Sequence, residues 1–408
     1  MIPAFIVLGL IWVVGFIRLP IMFFYEPGEP KLINLNHLAG VYLRGWKGLW
    51  RRKWMLWVFG LVGVVNLLAG LGEQILSTHY LAAKYEESLR NMGAVPVHGF
   101  QTLVGKFPEV TRDTLNWFFP RTGLSNYTGG IVLTAAALVI ALPWLYLRLG
   151  RLRREETYSR DAQFLQIALL SAGVVAVAIL ATVPRNFILG LQGMAEGSSG
   201  SYDPTSMLLI TGGAWLLVEA GLNAFLIAGL LGLLKDGGRI TVDLFVRNAV
   251  CHFRPVAGVY FLLAVVTGIF GLLPLSKTLA QPSYSTLQTY LAVWSIVSAG
   301  FLVLMLVPFV IVVRGIGAWE GIKLGVGQWF RSAGQAVSFI ALGVTFLIPV
   351  LLAKTAIGLL LPQRAVKSIA LAPVNVAVDI LLTAVMLLAV WEFYQLISKG
   401  EMVDQSET

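Results

Sequence analysis

The sequence predicts an all-α fold, a polytopic transmembrane bundle of about nine spans with amphipathic helices at the membrane interface. Charged residues make up only 12% of the chain and hydrophobic residues 57%, whereas about a quarter of a typical soluble domain is charged. The mean hydropathy is +0.79. Several runs approach or exceed the roughly 20 apolar residues that cross a bilayer core. These observations exclude an ordinary soluble multidomain protein.

The nine predicted spans are residues 2–18, 55–74, 129–149, 164–183, 207–234, 256–275, 286–313, 335–361 and 371–397. The first span lacks a cationic start and a clear small-residue cleavage site, so we interpret it as an anchor rather than a signal peptide. The predicted organisation is an N-terminal anchor with an interfacial helix (1–54), a first pair of hairpins (55–234) with an external loop (75–128), a second pair of hairpins (235–397) and a cytoplasmic tail (398–408).

The basic residues predict the orientation. The loops between predicted spans lie alternately on the two sides of the membrane. The loops of one side hold roughly twice as many lysines and arginines as those of the other, and loops rich in these residues usually face the cytoplasm. We therefore expect a multi-pass protein of a cell membrane, such as a bacterial inner membrane. Its N-terminus is expected outside and its C-terminus in the cytoplasm.

The segment LRGWKGLWRRKWMLW (Leu43–Trp57) interleaves five cations with aromatic residues. Apolar residues recur around it at three- and four-residue spacing, namely Leu38, Tyr42, Trp46, Leu49 and Trp50, while Arg44, Lys47 and Arg51 fall on other faces. This pattern predicts a helix in the membrane interface, with tryptophans at headgroup depth and cations near anionic lipid. No nucleic-acid-binding fold signature accompanies it, so we expect no nucleic-acid partner.

A similar arrangement recurs at Val242–Leu263 and Trp319–Ile340. In each, a short amphipathic segment carries an aromatic residue beside an arginine and leads into a predicted span. We call these two segments, and the one at Leu43–Trp57, the three approaches. One interpretation is internal duplication of the chain. The other is that each segment has this pattern independently, because every helix that enters a membrane meets the same physical constraints. The predicted lipid contacts in these three approaches are Arg44, Trp46, Lys47, Trp50, Arg254, Trp329 and Arg331.

Two segments lie within roughly residues 221–350, namely LNAFLIAGLLGLLKDGGRITVDLFVRNAVCHF and VRGIGAWEGIKLGVGQWFRSAG. This region resembles the membrane domains attached to some bacterial glycerophosphoryl diester phosphodiesterases, and related uncharacterised polytopic proteins. The resemblance implies a helical membrane module without an assigned chemistry. The soluble phosphodiesterase barrel is absent from the sequence, so its activity is not implied.

The predicted external loop ends in an aromatic cluster, Trp117, Phe118 and Phe119, followed by Pro120. We expect this cluster to be exposed and to rest on the outer interface. A docking site for a protein partner is the alternative.

Motifs for catalysis are missing from the sequence. Glu155, Glu156 and Arg160 match part of an intramembrane-protease pattern, but the later histidines are lacking and the segment falls in a loop. The single cysteine, Cys251, excludes an internal disulfide, and we interpret it as a small buried thiol. We expect a protein that is not an enzyme. No histidine pairing suited to haem, metal or chlorophyll is evident, and the identity of any cofactor stays unknown.

Polar residues inside the predicted spans are the remaining candidates for function. Glu219, Asn223 and Asn66 lie near mid-membrane, where a carboxylate is costly and marks a functional or helix-joining position. Lys354 and Asp379 lie at equal depth in the last two spans, which predicts a structural ion pair.

Two hypotheses follow. The first is a structural or interaction subunit of a membrane assembly, with the phospholipid bilayer and other membrane proteins as partners. The alternative is a transporter or lipid-handling protein that uses Glu219, with Pro143, Pro274, Pro308 and Pro349 as helix breaks.

Overall fold

A computed structural model of the chain describes residues 35–61, 117–120, 163, 166–168, 170, 171, 173, 204–237, 240–272, 293, 300–360 and 364–406. All regular structure in these residues is helical, which confirms the all-α class. The predicted spans 2–18 and 129–149 lie outside the described residues, as does Asn66. The number of spans therefore stays a prediction.

The described helices are seven α-helices and one π-helix. They are α1 (Leu35–Arg51), α2 (Pro204–Lys235), α3 (Val242–Thr267), the π-helix Gly268–Leu272, α4 (Val307–Arg314), α5 (Ala318–Arg331), α6 (Ala333–Leu360) and α7 (Arg364–Ser406). Residues 54–61 and 300–303 are also helical.

Three segments are long and apolar enough to cross a membrane, namely Leu216–Lys235 in α2, Val242–Phe270 in α3 with the start of the π-helix, and Ala377–Ser398 in α7. The pair Ala318–Arg331 and Ala333–Leu347 meets the same criterion only when taken together, and it is bent by 84°. Helices of membrane-spanning length and composition are thus present within the described residues. They overlap four of the predicted spans.

Helices α2 and α3 form a closely packed hairpin because two glycines of α2 leave room for side chains of α3. A Cβ atom at Gly229 would overlap the ring of Phe245, and one at Gly232 would overlap Asn248. The connection turns at Gly237, whose φ is 69°, and the Thr241 side chain caps α3 by accepting from the Leu244 amide at 3.1 Å. Small residues at such positions allow helix backbones to approach closely.

Helix α4 begins after a turn at residues 304–306, and Pro308 lies in its first turn. Proline fits there because the first helical amides have no intrahelical partner. The predicted break at Pro308 is therefore confirmed. At Pro349 the prediction is wrong, since α6 continues through that position.

Helix α5 lies against α4 through a glycine stripe. A Cβ atom at Gly321 would overlap Ile311, and one at Gly325 would come within 2.8 Å of Val307 Cγ2. The chain then breaks at Ser332, where the backbone leaves helical geometry (φ −105°, ψ 25°) before α6 begins. The third approach is thus a separate helix at 84° to α6.

The second approach differs from the third. Helix α3 runs without a break from Val242 through Phe253, Arg254 and Pro255 into the predicted span. The prediction of an interfacial helix distinct from its span is therefore wrong for Val242–Leu263. Packing along α2 provides the reason, since buried residues on both sides of Pro255, from Phe245 to Leu263, hold α3 as one helix.

Helix α1 packs on α6 and α7. Its backbone approaches α7 most closely at Gly45, where a Cβ atom would be 3.0 Å from the Ala389 nitrogen. A turn at residues 52–53 separates α1 from the helical residues 54–61. The amphipathic segment at Leu43–Trp57 is thus attached to the helices at the other end of the chain.

Candidate functional site

Among the described residues, aromatic side chains join segments that are distant in the sequence. We call Tyr42, Phe118, Phe339 and Phe393 the aromatic cluster. Phe339 of α6 stacks with Tyr42 of α1 at a ring-centroid distance of 4.7 Å and with Phe393 of α7 at 4.4 Å. Phe118 meets Phe339 edge to face at 5.8 Å. Such ring pairs contribute about 0.5–1.5 kcal/mol beyond area burial.

Tyr42 also makes a polar contact inside this cluster. Its hydroxyl donates to the Phe339 carbonyl at 2.7 Å. Burial raises the pKa of Tyr42 well above its ordinary value, so the phenol stays protonated and keeps its donor. Gly343, one turn after Phe339, has no room for a side chain because a Cβ atom would overlap Tyr42 and Phe118.

The aromatic residues of the predicted external loop lie in the interior, and their predicted exposure is wrong. Trp117 and Phe119 are 7% exposed and Phe118 is fully buried. The chain forms a turn here rather than a helix, and the Pro120 carbonyl accepts a hydrogen bond from Tyr260 of α3. Non-helical backbone is tolerated among spans where protein surrounds it and satisfies its polar groups. We call residues 117–120 the buried turn.

The buried turn contacts Tyr260 of α3 and Phe339 of α6. A cavity of about 10 Å³ lies between the turn and α7, lined by Trp117, Phe118, Phe119, Pro120, Thr383, Leu387 and Val390. That volume is about the room needed for one water molecule, whereas ligand pockets usually measure about 300–1,000 Å³. The Thr383 hydroxyl donates to the Asp379 carbonyl at 2.7 Å within α7. This cavity cannot hold a substrate or a lipid.

Helix α1 presents three stripes along its length. The docking stripe is buried and consists of Leu38, Val41, Gly45 and Leu49. The tryptophan stripe, Leu43, Trp46 and Trp50, is 61%, 40% and 54% exposed. The cation stripe, Arg44, Lys47 and Arg51, is also exposed. The predicted apolar face is therefore divided between protein contact and exposure.

Arg44 lies beside an acidic residue of α7. Its Nε atom is 3.7 Å from Glu392 Oε2, and the two side chains are 46% and 20% exposed. Exposed ion pairs of this kind contribute about 0–1 kcal/mol. The predicted contact of Arg44 with lipid stays a prediction.

The remaining predicted lipid contacts lie on α3 and α5. Arg254 and Arg331 are exposed. Trp329 is half-buried, and its ring meets Phe330 edge to face at 5.2 Å. Among the described residues its Nε1 atom has no hydrogen-bond partner. The more exposed aromatic residues of α5 are Trp319 (67%) and Phe330 (58%).

Glu219 and Asn223 lie one turn apart on α2. Glu219 is half-buried and Asn223 is 4% exposed. Neither residue lines the 10 Å³ cavity. Glu219 lies in the apolar segment Leu216–Lys235 of α2, near its first residue. Its depth in a membrane and its role stay predictions.

The predicted Lys354–Asp379 pair connects α6 and α7. Asp379 is half-buried on α7. Lys354 belongs to α6, but its side chain lies outside the described residues. The ion pair therefore stays a prediction.

Comparison with known proteins gives no relative for this chain. No protein-family profile, curated protein or solved structure matches it.

Cys251 is exposed, so the prediction of a buried thiol is wrong. Helix α3 buries Phe245, Ala249 and Val256 on one face, and Cys251 lies beside the exposed Val250 on another face. Among the described residues, no group of three histidine, cysteine, aspartate or glutamate side chains could hold a metal ion.

Sequence reasoning missed two groups of residues. The buried turn was missed because an aromatic triplet suits a lipid interface and a protein interior equally well. The docking glycines, Gly45, Gly321, Gly325 and Gly343, had a usable signal in the Gly-x-x-x-Gly spacing of Gly321 and Gly325. That spacing is typical of close helix contact.

Proposed function

We propose that this chain is a non-enzymatic integral membrane protein that acts as a structural or interaction subunit of a membrane assembly. The supporting observation is the packing of the described residues. The aromatic cluster and the buried turn join α1, α3, α6 and α7, and the cavity beside the buried turn measures about 10 Å³. A cavity of that size is far smaller than a ligand pocket.

The outer surface of α3 favours a role in assembly. Of the three segments of membrane-spanning length, the one in α3 has the smallest buried share, 33% against 67% in α2 and 61% in α7. Its exposed side chains are large and apolar, and include Phe261, Leu262, Val265, Ile269 and Phe270. A contiguous apolar face of this kind suits contact with lipid or with another transmembrane helix.

Extraction of the tagged full-length chain in native nanodiscs, followed by mass spectrometry, tests the proposal. We expect a protein partner, or further copies of the chain, at a fixed stoichiometry that survives a second purification step. A photo-crosslinker on the native Cys251 would show whether that partner contacts α3, with Cys251→Ala as the unlabelled control. Recovery of the chain as a monomer with a stoichiometric small molecule would contradict the proposal.

A transporter that uses Glu219 is the second candidate. One observation favours it, namely a half-buried carboxylate within an apolar helix that carries the buried Asn223 one turn away. If Glu219 carries protons or binds substrate, Glu219→Gln should abolish function while folding and assembly persist. If it only joins helices, the amide should be tolerated because it keeps the size and hydrogen-bonding capacity of the side chain.

Growth of a deletion strain complemented with the variant separates these outcomes. Native-nanodisc abundance of the same variant serves as the folding control. Full complementation by Glu219→Gln would leave the subunit hypothesis ahead.

A further inference from the structure

The cation stripe and the tryptophan stripe of α1 lie side by side on its exposed half. Arg44, Lys47 and Arg51 follow one another at three- and four-residue spacing, as do Leu43, Trp46 and Trp50. Trp46 and Trp50 meet edge to face at 6.2 Å. Adjacent apolar and cationic stripes are the arrangement by which an interfacial helix contacts acyl chains and headgroups together.

The charge of this surface has one sign. Residues 35–61 contain five cations and no acidic residue. The only described ion pair of α1 is Arg44 with Glu392, at 3.7 Å. Within the described part of the chain, no carboxylate lies at ion-pair distance from Lys47 or Arg51. These cations can therefore bind an external anion.

The orientation of the surface is fixed by contacts on the opposite side of α1. Gly45 lies against the Ala389 backbone, and Tyr42 donates its hydrogen bond to Phe339. The helix cannot rotate about its axis without losing both contacts. The exposed stripes are thus held in place before any ligand binds, which lowers the entropic cost of binding.

We propose that Lys47 and Arg51, with Arg44 beside them, form a binding site for the phosphate headgroups of anionic phospholipids, and that Trp46 and Trp50 lie at the boundary between headgroups and acyl chains. The proposal goes beyond the proposed function, because it holds whether or not the chain belongs to an assembly. The tryptophan stripe favours a lipid over a soluble anion, since the exposed rings gain contact only with an apolar environment.

The other two approaches fit this role less well. In α5, Glu320 lies in the first turn, and the Lys323 ammonium is 5.4 Å from the centre of the Trp319 ring. In α3, the approach continues into a helix of membrane-spanning length whose exposed face is mainly apolar. We therefore assign the selective site to α1 alone.

Native mass spectrometry of the delipidated full-length protein tests the assignment, with phosphatidylglycerol and phosphatidylcholine as probes. We expect wild type to bind phosphatidylglycerol more tightly. The double variant Lys47→Gln/Arg51→Gln should weaken phosphatidylglycerol binding by about 25-fold, because each cation near an anionic surface contributes about fivefold. Binding of phosphatidylcholine should change little.

Three controls make the result decisive. Arg247→Gln/Arg254→Gln removes two positive charges from α3 and should keep the preference for phosphatidylglycerol. Lys47→Arg keeps the positive charge on α1 and should also keep that preference. Thermal melts should show that all variants fold, since the substituted side chains are exposed. Equal loss in the α3 variant, or no preference in wild type, would overturn the proposal. Displacement of the lipid by inorganic phosphate at comparable concentration would also overturn it.

Discussion

Gly45 and Gly48 lie three residues apart on α1 and differ in what surrounds them. A Cβ atom at Gly45 would be 3.0–3.3 Å from three atoms of Ala389, two of them backbone atoms. One at Gly48 would be 3.2 Å from the guanidinium of Arg52, at the end of a flexible side chain. The first neighbour cannot move without shifting α7, while the second can.

This difference predicts opposite effects of the same substitution. Gly48→Ala should stabilise the protein by up to about 1 kcal/mol, because alanine favours helix over glycine. Gly45→Ala should lose that gain and lower stability, because α1 must move away from α7. Thermal melts in detergent, read by intrinsic fluorescence, compare the two. Equal stabilisation by both substitutions would show that α1 does not dock at Gly45.

The predicted pair of Lys354 and Asp379 gives a second test at the residue scale. Removing either charge alone should destabilise the protein, because an isolated charge then remains in an apolar environment. Removing both should cost less than the sum of the single losses. Thermal melts of Lys354→Met, Asp379→Leu and the double variant measure the coupling. Strictly additive losses would show that the two side chains are not in contact.

At the element scale, the sequence predicted helices better than it predicted their environments. The periodicity of α1 and α5 indicated amphipathic helices, and the structure has both. The faces were harder to assign, because leucine and tryptophan are equally suited to a protein interior and to lipid. Leu38 and Leu49 are buried while Trp46 and Trp50 of the same predicted face are exposed.

The breaks between approach and span depend on local residues that a shared pattern does not specify. Ser332 ends α5, whereas α3 continues through Pro255. Proline removes one intrahelical hydrogen bond, but the packing of α3 along α2 on both sides of it outweighs that loss. The three approaches therefore share a sequence pattern but not a geometry.

The bend between α5 and α6 can be measured directly. Spin labels at Trp319→Cys and Phe346→Cys, both exposed positions, in a Cys251→Ala background would report the separation of the two helices by electron–electron resonance. With an 84° bend, a rise of 1.5 Å per residue gives a backbone separation of about 30 Å, against about 40 Å for a straight helix. A distribution centred near the longer distance would show that the two helices form one continuous span.

For the whole molecule, composition was sufficient to predict an all-α protein with apolar helices of membrane-spanning length. It could not predict the packing of segments distant in sequence. Helix α1 contacts α6 and α7, and the buried turn contacts α3 and α6. These contacts join residues about 140 to 350 positions apart. The periodicity of one segment does not show which distant segment it contacts. It also does not show which face of a membrane helix points inward, because apolar side chains face both the lipid and the protein interior.

The orientation of the whole chain remains a prediction from its basic residues. Lys47→Cys in a Cys251→Ala background should react only with a membrane-impermeant maleimide that has been admitted to the cytoplasm, because the cation-rich connections are predicted to lie there. Labelling of intact cells from outside would reverse the predicted orientation.

The central claim is that the buried turn packs against α7 with no room for a ligand between them, and photo-crosslinking from the buried turn tests it most directly. A benzophenone amino acid in place of Trp117, which is 7% exposed, should form adducts within residues 383–390 of α7, because Thr383, Leu387 and Val390 line the same small cavity. The same label in place of the exposed Trp46 should form adducts with lipid instead. Adducts of the label at position 117 with lipid or with another protein would contradict this packing, and with it the observation that supports the subunit proposal.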